Sequence, residues 1–189
     1  MLNLAKNNLV VIDVETSGVN PFKHEVLAIG IVPLIETAPP CLVYIRPLQI
    51  EWNTFARNNF DKFSTEWEEK AVPPSEACHV IEKYLAEVFN GEPATVIGHN
   101  VGFDIAFLRK LAFLAGKDEI AGISHRALDT HTMLYLLYLN GLIPVTALRS
   151  DDAFNHFSIK VNDAERHTAV GDAIATRELV LKLFKMLRT

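Results

Sequence analysis

Runs of apolar and β-branched residues predict strands along both halves of the chain. The run at residues 9–15 is interrupted only by acids and predicts a central strand that is buried on both faces. Strands are also predicted at residues 26–34 and 42–46. Because short segments connect these three, we expect an antiparallel meander. Shorter strands are predicted at residues 95–98 and near Ala127 and Leu128.

Apolar residues at helical spacing predict the helices. Phe103, Phe107, Leu111 and Leu114 follow one another at intervals of four, four and three residues, which is typical of a core-facing stripe. The expected helices are one capped by Ser75 that ends near residue 89, and others at residues 101–115, 130–139, from Pro144 to about 156, and 169–187. Strands first, then strands alternating with helices, indicate an α/β protein with a mixed sheet.

Residues 50–74 follow no clean period. Their aromatic residues are irregularly spaced, and Pro73 and Pro74 close the segment. We interpret this segment as short helices or an ordered loop that covers an edge of the sheet.

Composition bounds the class of protein. The chain has 189 residues, 49% hydrophobic and 22% charged, which predicts a single globular domain over residues 1–189. A net charge of -5 argues against a broad basic face for nucleic acid and leaves a local cleft open. Cys41 and Cys78 are expected to be buried, reduced thiols. We found neither a signal peptide nor a spanning segment, so we expect a soluble, cytoplasmic protein without a membrane partner.

Two acids stand at the end of the first strand. Asp13 and Glu15 are two residues apart, so they share one face of the strand. Adjacent carboxylates repel each other unless a cation lies between them. Thr16, Ser17 and Gly18 follow, and a glycine allows another molecule to approach the backbone closely. A metal site and an incidental acidic strand end are equally compatible with this pattern.

A third acid follows the strand at residues 95–98. Asp104 ends the run HNVGFD, which begins at His99. Ligands bind preferentially at the carboxyl ends of strands in open α/β sheets. Asn100 has a plain structural interpretation as the N-cap of the next helix. Capping does not explain a carboxylate one turn into the helix, beside Phe103.

The last acid belongs to the run HTAVGD at residues 167–172. In a continuous helix His167 would point about 140° away from Asp172, at roughly 100° per residue. Both side chains face one site only if Thr168 caps the helix and His167 lies on the preceding loop. Asp172 would then lie in the first turns, where the helix dipole favours an ionised carboxylate. A lone loop histidine is more often a solvated surface residue, and only its relation to Asp172 argues otherwise.

Together these segments supply four carboxylates and one histidine. Oxygen ligands without cysteine or clustered histidine favour Mg²⁺ or Mn²⁺ over Zn²⁺. Two such ions, about 3.5–4 Å apart, are the usual arrangement for phosphodiester hydrolysis.

The three motifs, in this order, resemble those of the DEDDh 3′–5′ exonucleases, the DnaQ-like family. The motifs are Asp13-x-Glu15, HNVGFD and HTAVGD, and the resemblance extends from Leu9 to about Leu187. It implies a ribonuclease-H-like fold, in which helices flank a five-stranded mixed sheet.

The resemblance also implies residue roles. Asp13 would contact both metal ions, Glu15 and Asp172 would complete one site, Asp104 would help hold the other, and His167 would be the general base. Thr16, Ser17, Gly18 and Val19 would contact the 3′ nucleotide, and His99, Asn100 and Phe103 would support its pocket. Phe103 is equally compatible with a purely structural place in the core.

Other residues fit the family pattern less closely. Residues 50–74 do not align with a recognisable substrate-binding segment. Asp129 is similar to an acid that commonly precedes the next helix of the family, although we favour an N-cap role. His131 is a weaker candidate for the base than His167. The remaining histidines, at positions 24, 79, 125 and 156, are expected on the surface.

The expected function is a two-metal 3′–5′ exonuclease that releases nucleoside monophosphates from single-stranded DNA or RNA 3′ ends. DNA is favoured as substrate. The expected cofactors are two Mg²⁺ ions, for which Mn²⁺ is expected to be able to substitute. The alternatives are a 3′-end-trimming exoribonuclease, or a non-catalytic relative that docks on a polymerase. The presence of all five chemical residues argues against the second alternative. The sequence ends about two residues after the last predicted helix, which gives polymerase attachment no support and favours a stand-alone enzyme.

Overall fold

The computed structural model describes residues 7–34, 38–162 and 166–187, and its centre is a mixed sheet. The five strands run in the order β3-β2-β1-β4-β5. The antiparallel pairs are β1–β2 and β2–β3, whereas β1–β4 and β4–β5 are parallel. This confirms the expected meander and mixed sheet. The strands are β1 (Leu9–Thr16), β2 (Val26–Pro33), β3 (Cys41–Tyr44), β4 (Ala94–Gly98) and β5 (Ile123–Asp129).

Seven α-helices are found in the described part of the chain. They are α1 (Thr54–Phe60), α2 (Ser64–Lys70), α3 (Pro74–Val88), α4 (Gly102–Leu114), α5 (Thr130–Leu139), α6 (Ser150–His156) and α7 (Ala169–Met186). The continuous helix expected from Pro144 to residue 156 is wrong. A 3₁₀ turn at Val145–Leu148 is followed by Arg149, whose ψ of 146° is extended and therefore separates the turn from α6.

Two predicted N-caps are also wrong. Pro73 is the N-cap of α3, because Pro74 occupies the first helical position, where proline's fixed φ suits a helix start. Ser75 therefore lies inside the first turn. Asn100 is not the cap of α4, since Val101 is the residue that precedes the helix. Asn100 instead has a φ of 60°, in the left-handed region.

Helices cover both faces of the sheet. Val10, Ile12 and Val14 of β1 pack with residues of α3 and α4, whereas Val11 packs with residues of α7. This strand is thus buried on both faces, as its apolar run predicts. Cys78 is buried as expected, whereas Cys41 is only partly buried.

Gly30 allows α7 to lie directly on the sheet. It pairs with Asp13 across the β1–β2 ladder. A Cβ atom at Gly30 would lie 2.6 Å from the Val170 nitrogen and closer still to the Ala169 carbonyl group. The first turn of α7 therefore approaches the sheet as closely as it does only because this position has no side chain.

The segment at residues 50–74 contains the two short helices α1 and α2, which agrees with one of its two interpretations. Phe60 of α1 and Trp67 of α2 pack in an aromatic cluster against β2 and β3, together with Tyr44, Trp52 and Phe63. The Asn53 side chain caps α1, and its backbone N–H donates to the Ser17 carbonyl, 2.9 Å away. This bond places the start of α1 beside the end of β1.

Within the described residues, no helix is both long and apolar enough to cross a membrane.

Candidate metal centre and its surroundings

Three carboxylates converge at the carboxyl end of β1. Asp13 and Glu15 extend from the face of the strand that α7 covers, and Asp172 extends from the first turn of α7. One oxygen from each of the three lies within 4.8 Å of the others. This spacing is suitable for a shared divalent cation, and the donor set is entirely oxygen.

Asp104 lies beside this group but outside it. It belongs to the first turn of α4, only 5% of its surface is exposed, and its Oδ1 accepts the Val14 N–H at 3.1 Å. Its charge is the second-largest cause of the raised pKa of Asp13. The parallel pairing of β1 with β4 brings Asp104 close to Asp13, because α4, which carries Asp104, follows β4 in the chain.

Burial and mutual repulsion make this cluster unfavourable as four anions. Burial is the main cause that raises the pKa of Asp13 well above its usual value, followed by Asp104 and Glu15. Burial and then Asp172 raise the pKa of Glu15 to about 8. Burial raises the pKa of Asp104 to about 7. Nearby cations would therefore favour the ionised forms of Asp13, Glu15 and Asp104 at neutral pH.

His167 lies on the loop before α7. Its φ is 60°, and the Thr168 side chain caps the helix by accepting the Gly171 N–H at 3.3 Å. The His167 backbone N–H donates to Asp172 Oδ1 at 3.3 Å, and its Nδ1 lies 4.0 Å from Asp172 Oδ2. Burial, followed by the charge of Arg166, lowers the pKa of the imidazole. The structure thus brings together the histidine and the aspartate of the third motif.

Arg166 is a site residue that the sequence analysis missed. Its guanidinium forms ion pairs with Asp172 and with Asp151 at the start of α6. It also lies 5.4 Å from the centroid of the Phe154 ring. The pattern of motifs contained no signal for this contact, because Asp151 comes from an element 15 residues earlier.

The loop after β1 is held by its own side chains. The Thr16 hydroxyl donates to the Gly18 carbonyl at 2.8 Å. The Ser17 side chain is fully buried, and its Oγ accepts the Glu25 N–H at 2.9 Å. Val19 has 70% of its surface exposed, so its side chain is available to a ligand.

Gly18 does not leave room for another molecule at its Cα, contrary to the interpretation of the sequence. A Cβ atom there would lie 2.6 Å from the imidazole ring of His24. His24 is itself buried, so its expected surface position is wrong, whereas the histidines at 79, 125 and 156 are exposed as predicted. A hydrogen bond holds the ring in this position, since its Nδ1 accepts the Asn20 N–H at 2.9 Å.

Asp129 organises the loop that precedes α4. Its side chain caps α5 by accepting the His131 N–H, which confirms the N-cap interpretation. It also accepts the Asn100 N–H at 2.7 Å and the Val101 N–H at 3.4 Å. His99 Nδ1 lies 3.0 Å from the Thr130 hydroxyl. These bonds stabilise the left-handed backbone of Asn100.

Two further candidates from the sequence, Phe103 and His131, contact residues outside the acid cluster. Phe103 is half-buried, and its ring packs 4.9 Å from that of Phe107, so it belongs partly to the core. His131 Nδ1 lies 3.1 Å from the Leu148 carbonyl oxygen. This contact turns one nitrogen of His131 towards the 3₁₀ turn.

The segment at residues 50–74 forms one wall of the site. The Phe55 ring contacts His167 edge-on, with 6.4 Å between the ring centroids, and 68% of Phe55 is exposed. The Lys62 ammonium donates to the Arg166 carbonyl at 2.9 Å, and its charge offsets part of the rise in the pKa of Glu15. Sequence reasoning missed both residues, because their proximity depends on how α1 packs.

The mixed sheet and the oxygen-rich cluster define a ribonuclease-H-like domain with an acidic site at the carboxyl end of its central strand. Escherichia coli exonuclease I in complex with a dT13 oligonucleotide has the same fold, with a TM-score of 0.76 at 18% identity over 97% of this chain and 44% of that chain. The RNase_T exonuclease family model matches residues 10–180. The chain therefore belongs to this exonuclease family.

Two curated relatives are named after DNA polymerase III. A DNA polymerase III subunit epsilon-like protein of Rhodobacter capsulatus is 33% identical over 98 residues, 51% of this chain and 13% of that protein. A PolC-type DNA polymerase III of Caldanaerobacter subterraneus is 24% identical over 188 residues, 97% of this chain and 12% of that protein. This chain thus matches only a small part of each relative.

Proposed function

We propose that this domain is a metal-dependent 3′–5′ exonuclease, which hydrolyses the terminal phosphodiester bond of single-stranded nucleic acid and releases nucleoside monophosphates. The observation that carries the proposal is the convergence of Asp13, Glu15 and Asp172, with His167 beside them. The 3′–5′ direction rests on the resemblance of the three motifs to the DEDDh family.

The carboxylates fit two divalent cations, Mg²⁺ or its substitute Mn²⁺. Asp13, Glu15 and Asp172 would hold one ion, and Asp104 together with Asp13 would hold the second. The pKa values of Asp13, Glu15 and Asp104, raised first by burial and then by neighbouring acids, support this fit, because nearby cations favour the ionised carboxylates. When bound, the ions supply Lewis-acid stabilisation of the charge that develops on the phosphate.

His167 acts as the general base in this proposal. Its lowered pKa keeps the imidazole neutral at pH 7, and only the neutral ring accepts a proton. Nδ1 faces Asp172, which leaves Nε2 to take the proton from the attacking water. The Asp172 carboxylate then stabilises the imidazolium that forms.

The exposed apolar side chains beside the acids are suited to the bases of a single strand. Val19 extends from the loop after β1, and Phe55 extends from α1 next to His167. Bases stack on aromatic side chains in proteins that bind single strands. Lys62 lies beside the site, and its positive charge is suited to the phosphates of the bound strand in a protein whose net charge is negative.

DNA is the favoured substrate. Both curated relatives carry the names of DNA polymerase III proteins, and the exonuclease I of similar fold is described with a DNA oligonucleotide. These names support DNA over RNA for this domain.

One assay tests the proposal directly. Single-stranded DNA, the same sequence as RNA, a duplex with a mismatched 3′ end and a circular single-stranded DNA are incubated with Mg²⁺, Mn²⁺ or EDTA. The linear substrates carry one label at the 5′ end and another in the 3′-terminal nucleotide, and the circular strand is labelled internally. We expect a ladder of progressively shortened DNA with either metal, mononucleotide products, and no reaction in EDTA. Full activity in EDTA, or rapid cutting of a circular single strand, would contradict the proposal. Faster degradation of the RNA would reassign the substrate.

A further inference from the structure

Arg166 is held between two carboxylates from different elements. Its guanidinium pairs with Asp172 Oδ2 through Nη1, and with Asp151 Oδ1 through Nε at 2.8 Å and through Nη2. The side chain of Arg166 is 17% exposed and that of Asp172 is 13% exposed, whereas Asp151 is 67% exposed. The ring of Phe154 on α6 lies beneath the guanidinium. Asp172 is thus a buried partner in the acidic site, whereas Asp151 is an exposed one.

Both oxygens of Asp172 are engaged by this arrangement. Oδ1 accepts the backbone N–H of His167, and Oδ2 pairs with Arg166. A divalent cation that shares Asp13, Glu15 and Asp172 would therefore lie close to a guanidinium that draws on the same carboxylate and repels the ion by its positive charge. Ion pairs with hydrogen bonds and little exposure are among the stronger polar contacts in proteins, so this competition has a measurable cost.

We propose that Arg166 is an internal competitor of the metal ion, which sets the metal affinity of the site without being a ligand. The inference rests on the proposed function, because it requires Asp172 to bind metal. When the ion binds, the guanidinium leaves Asp172 Oδ2 and stays on Asp151 and the Phe154 ring. When the ion dissociates, the guanidinium returns and neutralises part of the acidic cluster. α6 thereby regulates the metal site through a residue that need not touch substrate.

The test compares metal affinity in matched variants by isothermal titration with Mn²⁺ and Mg²⁺. Arg166→Gln removes the competing charge and keeps a polar side chain of moderate length. Lys62→Gln is its control, because it removes an equal charge nearby whose ammonium bonds to a carbonyl group. We expect Arg166→Gln to bind Mn²⁺ about tenfold more tightly than the wild type, and Lys62→Gln only about twofold.

A second measurement does not depend on metal binding alone. In EDTA, Arg166→Gln should melt at a lower temperature than the wild type, because the acids lose a partner charge. Saturating Mn²⁺ should then raise its melting temperature by more than it raises that of the wild type, since a tighter ligand stabilises the folded state more. An Arg166→Gln protein that binds metal as the wild type does, or more weakly, would overturn the inference.

A second pair of variants keeps the test decisive if Arg166→Gln does not fold. Asp151→Asn removes the partner that holds the displaced guanidinium, and Asp152→Asn removes the same charge one residue later. We expect Asp151→Asn to weaken Mn²⁺ binding by about threefold relative to Asp152→Asn, a modest effect because Asp151 is exposed. Equal affinities in the two would overturn the inference. If neither the wild type nor any variant binds metal, the proposed function itself fails.

Discussion

The acids and the histidine of the candidate site are positioned in different ways. Asp13, Glu15 and Asp104 extend from a buried strand and from the first turn of a helix that follows its neighbour, so ladder bonds and core packing fix their backbones. His167 and Arg166 lie on a loop, in which His167 has a φ of 60° and contacts come from side chains of α1, α6 and α7. Regular secondary structure thus fixes the half of the site that holds these three acids, and side-chain contacts fix the half that holds His167 and Arg166.

Because of this difference, we expect substitutions in the two halves of the site to impair the enzyme in different ways. Substitutions of Asp13 and Glu15 should remove chemistry while leaving the fold intact, because ladder bonds hold the backbone of β1. Asp104 differs, since its Oδ1 also accepts the Val14 N–H. Substitutions on the loop side should alter the rate, the pH dependence or the metal affinity by degrees. We expect the largest loss of activity from substitution of an acid, smaller losses from substitution of His167 or of Gly30 in the sheet, and the smallest from substitution of Phe55 on the exposed wall.

The largest effect is expected from Asp13→Asn. It removes the carboxylate that both ions would share and keeps the size of the side chain, so turnover should fall below detection. In EDTA the variant should melt at the same temperature or higher, because burial and three neighbouring acids disfavour the Asp13 charge. Gel assays and thermal melts check both. Asp118→Asn, an exposed acid after α4, is the control. Activity within a few fold of the wild type would exclude Asp13 as the shared ligand.

A smaller effect is expected from His167→Ala. Removal of a general base lowers rates by about 10²–10⁴-fold. Because the pKa of His167 is lowered from 6.5, the wild-type single-turnover rate should stay high at neutral pH and fall only as pH drops below that value. At saturating metal the variant should not show this fall of the rate at low pH, which is the acid limb of the pH–rate profile. His125→Ala, at an exposed position of β5, should keep it.

The acid limb decides the role of His167. If His167→Ala retains both the limb and nearly the wild-type rate after its folding has been verified, another group is the base. His131 would then be the next candidate, although its Nδ1 is engaged by a carbonyl oxygen.

Gly30→Ala should disturb both halves of the site at once. The added Cβ would meet the backbone of α7 at Ala169, so the first turn must move away from Asp13 and Glu15. We expect a loss of roughly 1–3 kcal/mol of stability, typical of overpacking, and a rate about 10²-fold lower. Gly102→Ala is the control, because its Cβ would meet no described atom within 4 Å. Equal behaviour of the two variants would show that α7 does not need this close approach.

The same division explains what the sequence could predict. Strand alternation and N-capping are local, so the shared face of Asp13 and Glu15 and the loop position of His167 followed from spacing alone. Gly30 carried a usable signal, since a glycine within an apolar strand often marks a close backbone approach. The contacts of Arg166 with Asp151 and of Phe55 with His167 join separate elements, and no local pattern specifies them. His24 is buried for a similar reason, because its ring fills the space above Gly18.

The acids should also determine how stability changes with pH in EDTA. The pKa of Glu15 is raised from 4.5 to about 8, so the folded protein holds a proton that the unfolded chain releases near pH 4.5. The free energy of unfolding should therefore fall as pH rises from about 4.5 to 8. Urea unfolding at pH 5 and pH 8 measures this. Glu15→Gln should reduce the slope, and saturating Mg²⁺ at pH 8 should restore stability. A slope unchanged in Glu15→Gln would contradict the assignment.

The smallest effect is expected from Phe55→Ala, at the exposed wall. Phe55 reaches the site through an edge-to-face contact with the His167 ring, so the chemical step should be largely kept. Loss of one stacking surface should raise KM for single-stranded DNA by roughly fivefold or more, since stacking of one base contributes about 1–3 kcal/mol. Phe113→Ala is the control, because Phe113 is similarly exposed, at 78%, but lies near the far end of α4 from Asp104. Steady-state kinetics on both variants separate the two outcomes. A fall in kcat with unchanged KM would mean that Phe55 positions His167 and does not bind the strand.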